Sequence, residues 1–264
     1  MPMLPADTLK GEVAIITGGG TGLGRSMALE FSKLGAKIVL ASRNAEHLEP
    51  TVAELNNSGG DAIAVVTDIR DPAQVDNMIQ KTKEKFGTVD ILVNNAAGTF
   101  ICKAEDMSPN GWRAVVDIVL NGTFFCSRAA GREMIASGRG GKILNVLATY
   151  CWTGGPGTAH SAAAKAGVLA MTRTLAVEWA QHKIRVNAIT PGRVETEGAG
   201  SKLWGTPEAR AKMLAQIPVG RMGKPEEIAR GASFLVSPYA DYVNGENLTM
   251  DGGAWLGKGF LAYQ

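Results

Sequence analysis

Three side chains near the middle of the sequence have the types and spacing to hold a charge or move a proton. Residues 160–165 read His-Ser-Ala-Ala-Ala-Lys, which places the Ser161 hydroxyl and the Lys165 ammonium one helical turn apart. Tyr150 lies fifteen residues before Lys165. A phenol titrates at about 10 and a serine hydroxyl far above it, so the usable acid of this set is Tyr150 and not Ser161. The chemistry such a set supports is stabilisation or protonation of an oxygen that gains negative charge. Two plain alternatives stand beside it: Tyr150 as an amphipathic residue at a strand end with its hydroxyl in water, and Lys165 as a solvated helix charge. The apolar runs 162–164 and 166–170 argue against the second. Cys151 adjoins Tyr150, but no histidine sits at a pairing distance in sequence, and an inert thiol is expected.

A second group has the spacing of a phosphate-binding turn. Residues 17–24 read Thr-Gly-Gly-Gly-Thr-Gly-Leu-Gly, with Gly18, Gly22 and Gly24 in the T-G-x-x-x-G-x-G pattern and Thr21 and Leu23 between them. Glycines allow the backbone to turn tightly and approach a pyrophosphate, whose charge then meets a helix N-terminus. Residues 41–44 (Ala-Ser-Arg-Asn) follow the expected second strand. They carry no acid for an adenosine 2′-hydroxyl, whereas Ser42 and Arg43 suit a 2′-phosphate, so the cofactor expected is NADP(H) rather than NAD(H). Asp68, with Ile69 after it, can accept from an adenine amino group. Asn95, Ala96 and Gly98, in Asn-Asn-Ala-Ala-Gly at 94–98, offer backbone amides beside the adenosine ribose. Pro191, Gly192 and Val194 would border the nicotinamide and its carboxamide.

For these loops to meet, the elements between them must alternate. Short β-branched runs at 13–16, 38–40, 63–66, 91–93, 143–146, 186–189 and 248–250 read as buried strands. Helix-length segments lie near 22–34, 45–57, 72–86, 109–136, 160–181 and 225–236. This pattern predicts an α/β fold, a Rossmann-type doubly wound parallel sheet of about seven strands with helices on both faces. Right-handed crossovers then bring every strand's carboxyl end to one edge, where ligands bind. One domain over 1–264 is expected. The stretch 191–224, rich in Gly, Pro and charge, reads as a substrate lid, with a short helix starting near Thr206.

Composition narrows the partners. A formal charge of +2 and a pI near 8.4 give no reason to expect nucleic acid or an anionic membrane. Cys102, Cys126 and Cys151 are irregularly spaced without C-x-x-C, and His47, His160 and His182 are scattered, so neither disulfides nor a metal is expected. The first residues lack the basic and apolar regions of a signal peptide, the last do not form a peroxisomal address, and no apolar run spans a membrane. The location expected is cytoplasmic.

Together these motifs resemble the short-chain dehydrogenase/reductase family over nearly the whole chain: the glycine turn, Asn-Asn-Ala-Ala-Gly, Asn121 within a long helix, Lys165, Pro-Gly at 191–192 and Asp-Gly-Gly at 251–253. The family's Asn, Ser, Tyr, Lys tetrad is half replaced, with Ala148 at the serine position and Ser161 at the tyrosine position. An ordinary alcohol dehydrogenase or ketone reductase is therefore not expected. Residues 95–100, 119–124, 148–150 and 160–167 resemble the NADPH-dependent 2,4-dienoyl-CoA reductases. Enoyl-ACP reductases, by comparison, place a tyrosine seven residues before the lysine, at Thr158 here.

The dienoyl-reductase resemblance implies an enzyme of unsaturated fatty-acid β-oxidation with Tyr150, at the end of the fifth strand, as its catalytic hydroxyl over the thioester oxygen. It assigns Lys165 to the nicotinamide ribose, Ser161 to a water or the thioester, and Asn121 to a water near Lys165. Thr99 stands where that subgroup has an asparagine and would assist Tyr150, with Phe100 beside the substrate. Arg70 and Lys202 match positions used for CoA phosphates, though either can be an ordinary solvated charge. Met107, Trp112, Leu203, Trp204 and Met213 would line an acyl tunnel or simply pack the core. Helices 109–136 and 160–181 would be faces of a homotetramer. A reductase of another activated carbonyl or enoyl substrate, and a non-catalytic NADPH-binding protein, are the alternatives.

Overall fold

A computed structural model describes residues 3–196 and 206–256. Seven strands form one sheet: β1 (Val13–Thr17), β2 (Lys37–Ser42), β3 (Ala62–Val66), β4 (Ile91–Asn94), β5 (Gly141–Val146), β6 (Ile184–Pro191) and β7 (Asn247–Met250), in the order β3-β2-β1-β4-β5-β6-β7. Every pairing is parallel. The central strands are unbroken apolar runs because both faces are covered, and alternate residues divide between two cores. Ala14 and Ile16 face α1 (Gly22–Lys33), α2 (Ala45–Asn57) and α9 (Pro225–Val236). Val13 and Ile15 face the core of α3 (Pro72–Phe86), α5 (Gly122–Ser137) and α7 (Ala159–Trp179). This is the doubly wound α/β architecture the sequence predicts, and it gathers the cofactor and hydroxyl motifs at the carboxyl edge of the sheet.

Two expectations change. The single helix expected over 109–136 is three pieces: α4 (Pro109–Val116), a π turn (Asp117–Asn121) and α5. The wide turn places Asn121 so that its Nδ2 donates to Asp117 Oδ1 at 2.8 Å. Tyr150 does not lie on the fifth strand, which ends at Val146. It opens a separate single turn, α6 (Tyr150–Thr153), closed by Gly154, whose φ of +67 only glycine adopts readily. Within the stretch read as a lid, α8 (Pro207–Leu214) follows Thr206, and a bridge between Val194 and Gly223 ties the two ends of the connection together.

Candidate active site

The glycine turn is built by contacts that exclude larger side chains. A Cβ on Gly24 would sit 2.2 Å from the Gly18 carbonyl oxygen and 2.7 Å from Asn95 Nδ2, and Gly18 and Gly22 both have positive φ. Thr17, at the carboxyl end of β1, locks this turn to the loop after β4: its Oγ1 accepts from the amides of Asn95 and Ala96 at 3.0 and 3.1 Å. Asn95 returns the link, its Nδ2 donating to the carbonyls of Thr17 and Gly18. A cavity of about 440 Å³ lies over the turn. It is lined by Gly18, Thr21, Gly22 and Leu23 of the turn, by Ser42 and Arg43 at the end of β2, and by Asp68, Ile69, Asn95 and Ala96 after β3 and β4. Thr196, at the start of the lid stretch, and Ile118 of the π turn also line it, neither singled out by a motif.

These residues fit a dinucleotide. A Cβ would clash at Gly18 and Gly24, Gly22 is held at a positive φ, and the exposed Arg43 makes no ion pair among the described residues. Arg70 does not reach outward to a substrate but clasps the Asp68 carboxylate through Nε and Nη2. That guanidinium holds the Asp68 carboxyl below the usual carboxylate range. Asp68 thus lines the cavity with its charge already engaged.

Gly24, Gly98, Pro191, Gly192 and Val194 are not part of the cavity wall. Gly98 has an open position with Ile118 at 3.8 Å, and Pro191 ends β6 in register with Met250. Gly192 packs on Asp251, where a Cβ would lie 2.5 Å from the Asp251 Cβ.

At the neighbouring strand ends the hydroxyl set comes together. Tyr150 OH and Ser161 Oγ are 3.0 Å apart, close enough for either to donate. Ser161 is buried, and Lys165 one turn further along α7 is buried as well. The Lys165 ammonium donates to the Val146 carbonyl, the last of β5. Burial pulls its pKa down to about 8, opposed by the nearby Cys151. Cys151 itself is half-buried, and burial pushes its thiol up. Val119 of the π turn packs on Ala164, the residue before Lys165, which sets Asn121 on the element flanking the lysine.

His160 is a feature the motifs do not explain. Its Nδ1 accepts from the Ser161 amide at 2.8 Å, and its ring meets Phe100 edge to face at 4.6 Å. Phe100 is thereby seated beside the Ser161 segment, while the adjoining Thr99 is exposed. Met213 packs with Ile217 and Met222 in a small core, Trp112 of α4 is exposed, Met107 just before α4 is half-buried, and Lys202, Leu203 and Trp204 lie outside the described residues. Among the described residues there is no cluster of His, Cys, Asp or Glu able to hold a metal, and no helix is long and apolar enough to cross a membrane.

Residues 18–254 match the family model described as enoyl-(acyl carrier protein) reductase. A Bacillus subtilis (strain 168) protein named probable 2,4-dienoyl-CoA reductase, (2E)-enoyl-CoA-producing, is 50% identical over 93% of this chain and 97% of its own. A short-chain dehydrogenase from Bacillus anthracis, solved by crystallography, is 49% identical with a TM-score of 0.86, over 93% of this chain and 97% of that one. A candidate 2-deoxy-D-gluconate 3-dehydrogenase from Agrobacterium tumefaciens, crystallised with bound NADP, is 36% identical with a TM-score of 0.88, over 97% of this chain and 100% of that one. The chain belongs to the family this model describes, within the short-chain dehydrogenase/reductases, and is an oxidoreductase.

Proposed function

We propose that the protein reduces 2,4-dienoyl-CoA thioesters with NADPH, in the oxidation of unsaturated fatty acids. The observation that carries this reading is the 3.0 Å approach of Tyr150 to Ser161. A phenol on a separate turn reaches the place, one helical turn before a buried lysine, where the helix itself offers only a serine. The bound cofactor would supply a hydride to the conjugated chain. Negative charge then collects on the thioester oxygen while the final proton goes to carbon, so the oxygen needs a stabilising donor rather than an obligatory proton source. Tyr150 is that donor, and one such hydrogen bond is worth about 3–4 kcal/mol in a site of this kind. Ser161 orients the phenol, and Lys165, held by Val146, supplies positive potential beneath it and binds the nicotinamide ribose.

Asn121, on the π turn, organises water near Lys165, and Thr99 assists at the thioester. The missing acid at 41–44, together with Arg43 over the cavity, supports NADP(H). Pro191, Gly192 and Val194 border the nicotinamide side, with Gly98 on the ribose side. Arg70 serves CoA phosphates only by leaving Asp68, with Phe100 beside the substrate and, on the resemblance alone, Lys202 for the CoA phosphates. At Thr158, where an enoyl-ACP reductase has its tyrosine, Oγ1 is given to the Gly155 carbonyl instead. The unit is a single domain, a cytoplasmic homotetramer.

The test is coupled loss of dienoyl-CoA and NADPH absorbance. Tyr150→Phe should lower kcat by roughly 100-fold or more, as removal of an oxyanion donor does, and Ser161→Ala by much less. Turnover undiminished in Tyr150→Phe would sink the assignment. Reduction of a simple ketone without any dienoyl-CoA turnover would move the activity to another activated carbonyl.

A further inference from the structure

The turn that carries Tyr150 is too short to hold its own shape. α6 has four residues, no side chain caps its N-terminus, and residues 154–157 after it read Gly-Gly-Pro-Gly. A lone helical turn fixes several dihedrals for each hydrogen bond it closes and is unfavourable by itself, so its geometry has to come from tertiary contacts. Each of its first three residues finds a different anchor. Tyr150 reaches Ser161, and Cys151 packs against the Leu147, Val168 and Ala188 cluster. Trp152 meets Trp255 edge to face, with ring centroids 5.6 Å apart at 82°. Among the described residues the buried Trp152 Nε1 has no hydrogen-bond partner, so packing rather than a polar bond holds this indole.

Trp255 belongs to the segment after β7, and that segment is ordered from below. The Asp251 carboxylate accepts from the amides of Gly253 at 2.9 Å and Trp255 at 2.8 Å. Gly192 packs directly on Asp251. A continuous set of contacts therefore runs from the loop after β6, through Asp251 and Trp255, to Trp152 and the turn bearing the phenol. We propose that Trp255 is a positioning residue: through Trp152 it clamps α6 and sets the Tyr150 hydroxyl against Ser161, so that the segment after β7 helps determine catalytic geometry. The consequence for turnover rests on the dienoyl-CoA reading, whereas the clamp itself does not.

The experiment combines amide hydrogen exchange with kinetics on the full chain. Trp255→Ala should speed exchange at residues 151–154 and lower kcat, each by roughly three- to tenfold, the effect expected of removing an aromatic pair. The Kd for NADPH should not move, and Trp255→Phe, which keeps a ring, should restore both readouts. In a Tyr150→Phe background Trp255→Ala should cost no further kcat, because the clamp acts through that hydroxyl. Trp255→Leu, with apolar volume but no ring, should repeat the alanine pattern and serves if alanine prevents folding. Unchanged exchange at 151–154, or an equal kcat loss in both backgrounds, would overturn the proposal. A wild type inactive on every dienoyl-CoA would remove the assigned reaction, and exchange would still decide the clamp.

Discussion

Lys165 is a charge in a place that opposes charge. Its pKa falls from 10.5 to about 8 because burial penalises the ammonium, with Val146 as its hydrogen-bond partner. Between about pH 8 and 10.5 the unfolded chain binds more protons than the folded one, so the stability of the cofactor-free protein should rise with pH across that window. Below it the cost of burial is fully present. Lys165→Met, close in volume and without charge, should therefore be more stable than wild type at pH 7, by at most about 3 kcal/mol, and inactive. The gap should close as pH rises through the window, and a denaturation series that finds it constant would contradict the account. At this scale the sequence reveals types and spacings but not directions. Tyr150, Ser161 and Lys165 are legible as a set because a turn of helix fixes two of them and the acidity of a phenol selects the third. Nothing in the order of residues says that Arg70 folds back onto Asp68, or that His160 caps the amide of Ser161; both depend on side-chain rotamers chosen by neighbours distant in sequence.

Elements add what spacing cannot. The glycine turn is readable because each glycine answers a steric demand. Gly24 lies where the first turn of α1 crosses the Gly18 carbonyl. Gly24→Ala should weaken NADPH binding by roughly five- to a hundredfold, since overpacking of this size costs about 1–3 kcal/mol. Fluorescence titration reads the affinity, and wild-type Kd in the variant would show that the turn has slack the structure does not suggest. By contrast, the break in the helix over 109–136 is announced only by Asn121-Gly122, a pair that a long helix also tolerates. A π turn adds one residue to a cycle, and Val115 and Val119 stay four residues apart in one cluster while Ile118 reaches the core that Cys126 joins, so the apolar spacing hides it. The end of β5 hides α6 for a related reason: Ala148 and Thr149 suit a strand or a turn, and tertiary anchors decide.

For the whole molecule, the sheet explains why the motifs converge, and its outer helices raise the question of assembly. Both sheet faces are filled, so apolar side chains that remain outside must meet solvent or another molecule. Phe124 on α5 is 42% exposed and Val177 on α7 is 80% exposed. Water leaves such residues unrewarded, whereas isologous contacts between copies would bury them in a closed, symmetric assembly. This favours the proposed homotetramer, with the outward faces of α5 and α7 as its contacts. The pair Phe124→Asp and Val177→Asp should then shift the protein from tetramer to smaller species in light scattering, with unchanged far-ultraviolet circular dichroism. The glycine turn and its cavity lie at the carboxyl edge of the sheet, whereas Val177 sits near the last turn of α7, so NADPH affinity should survive Val177→Asp alone. A monomeric wild type, or a double variant that stays tetrameric, would remove these faces from the assembly.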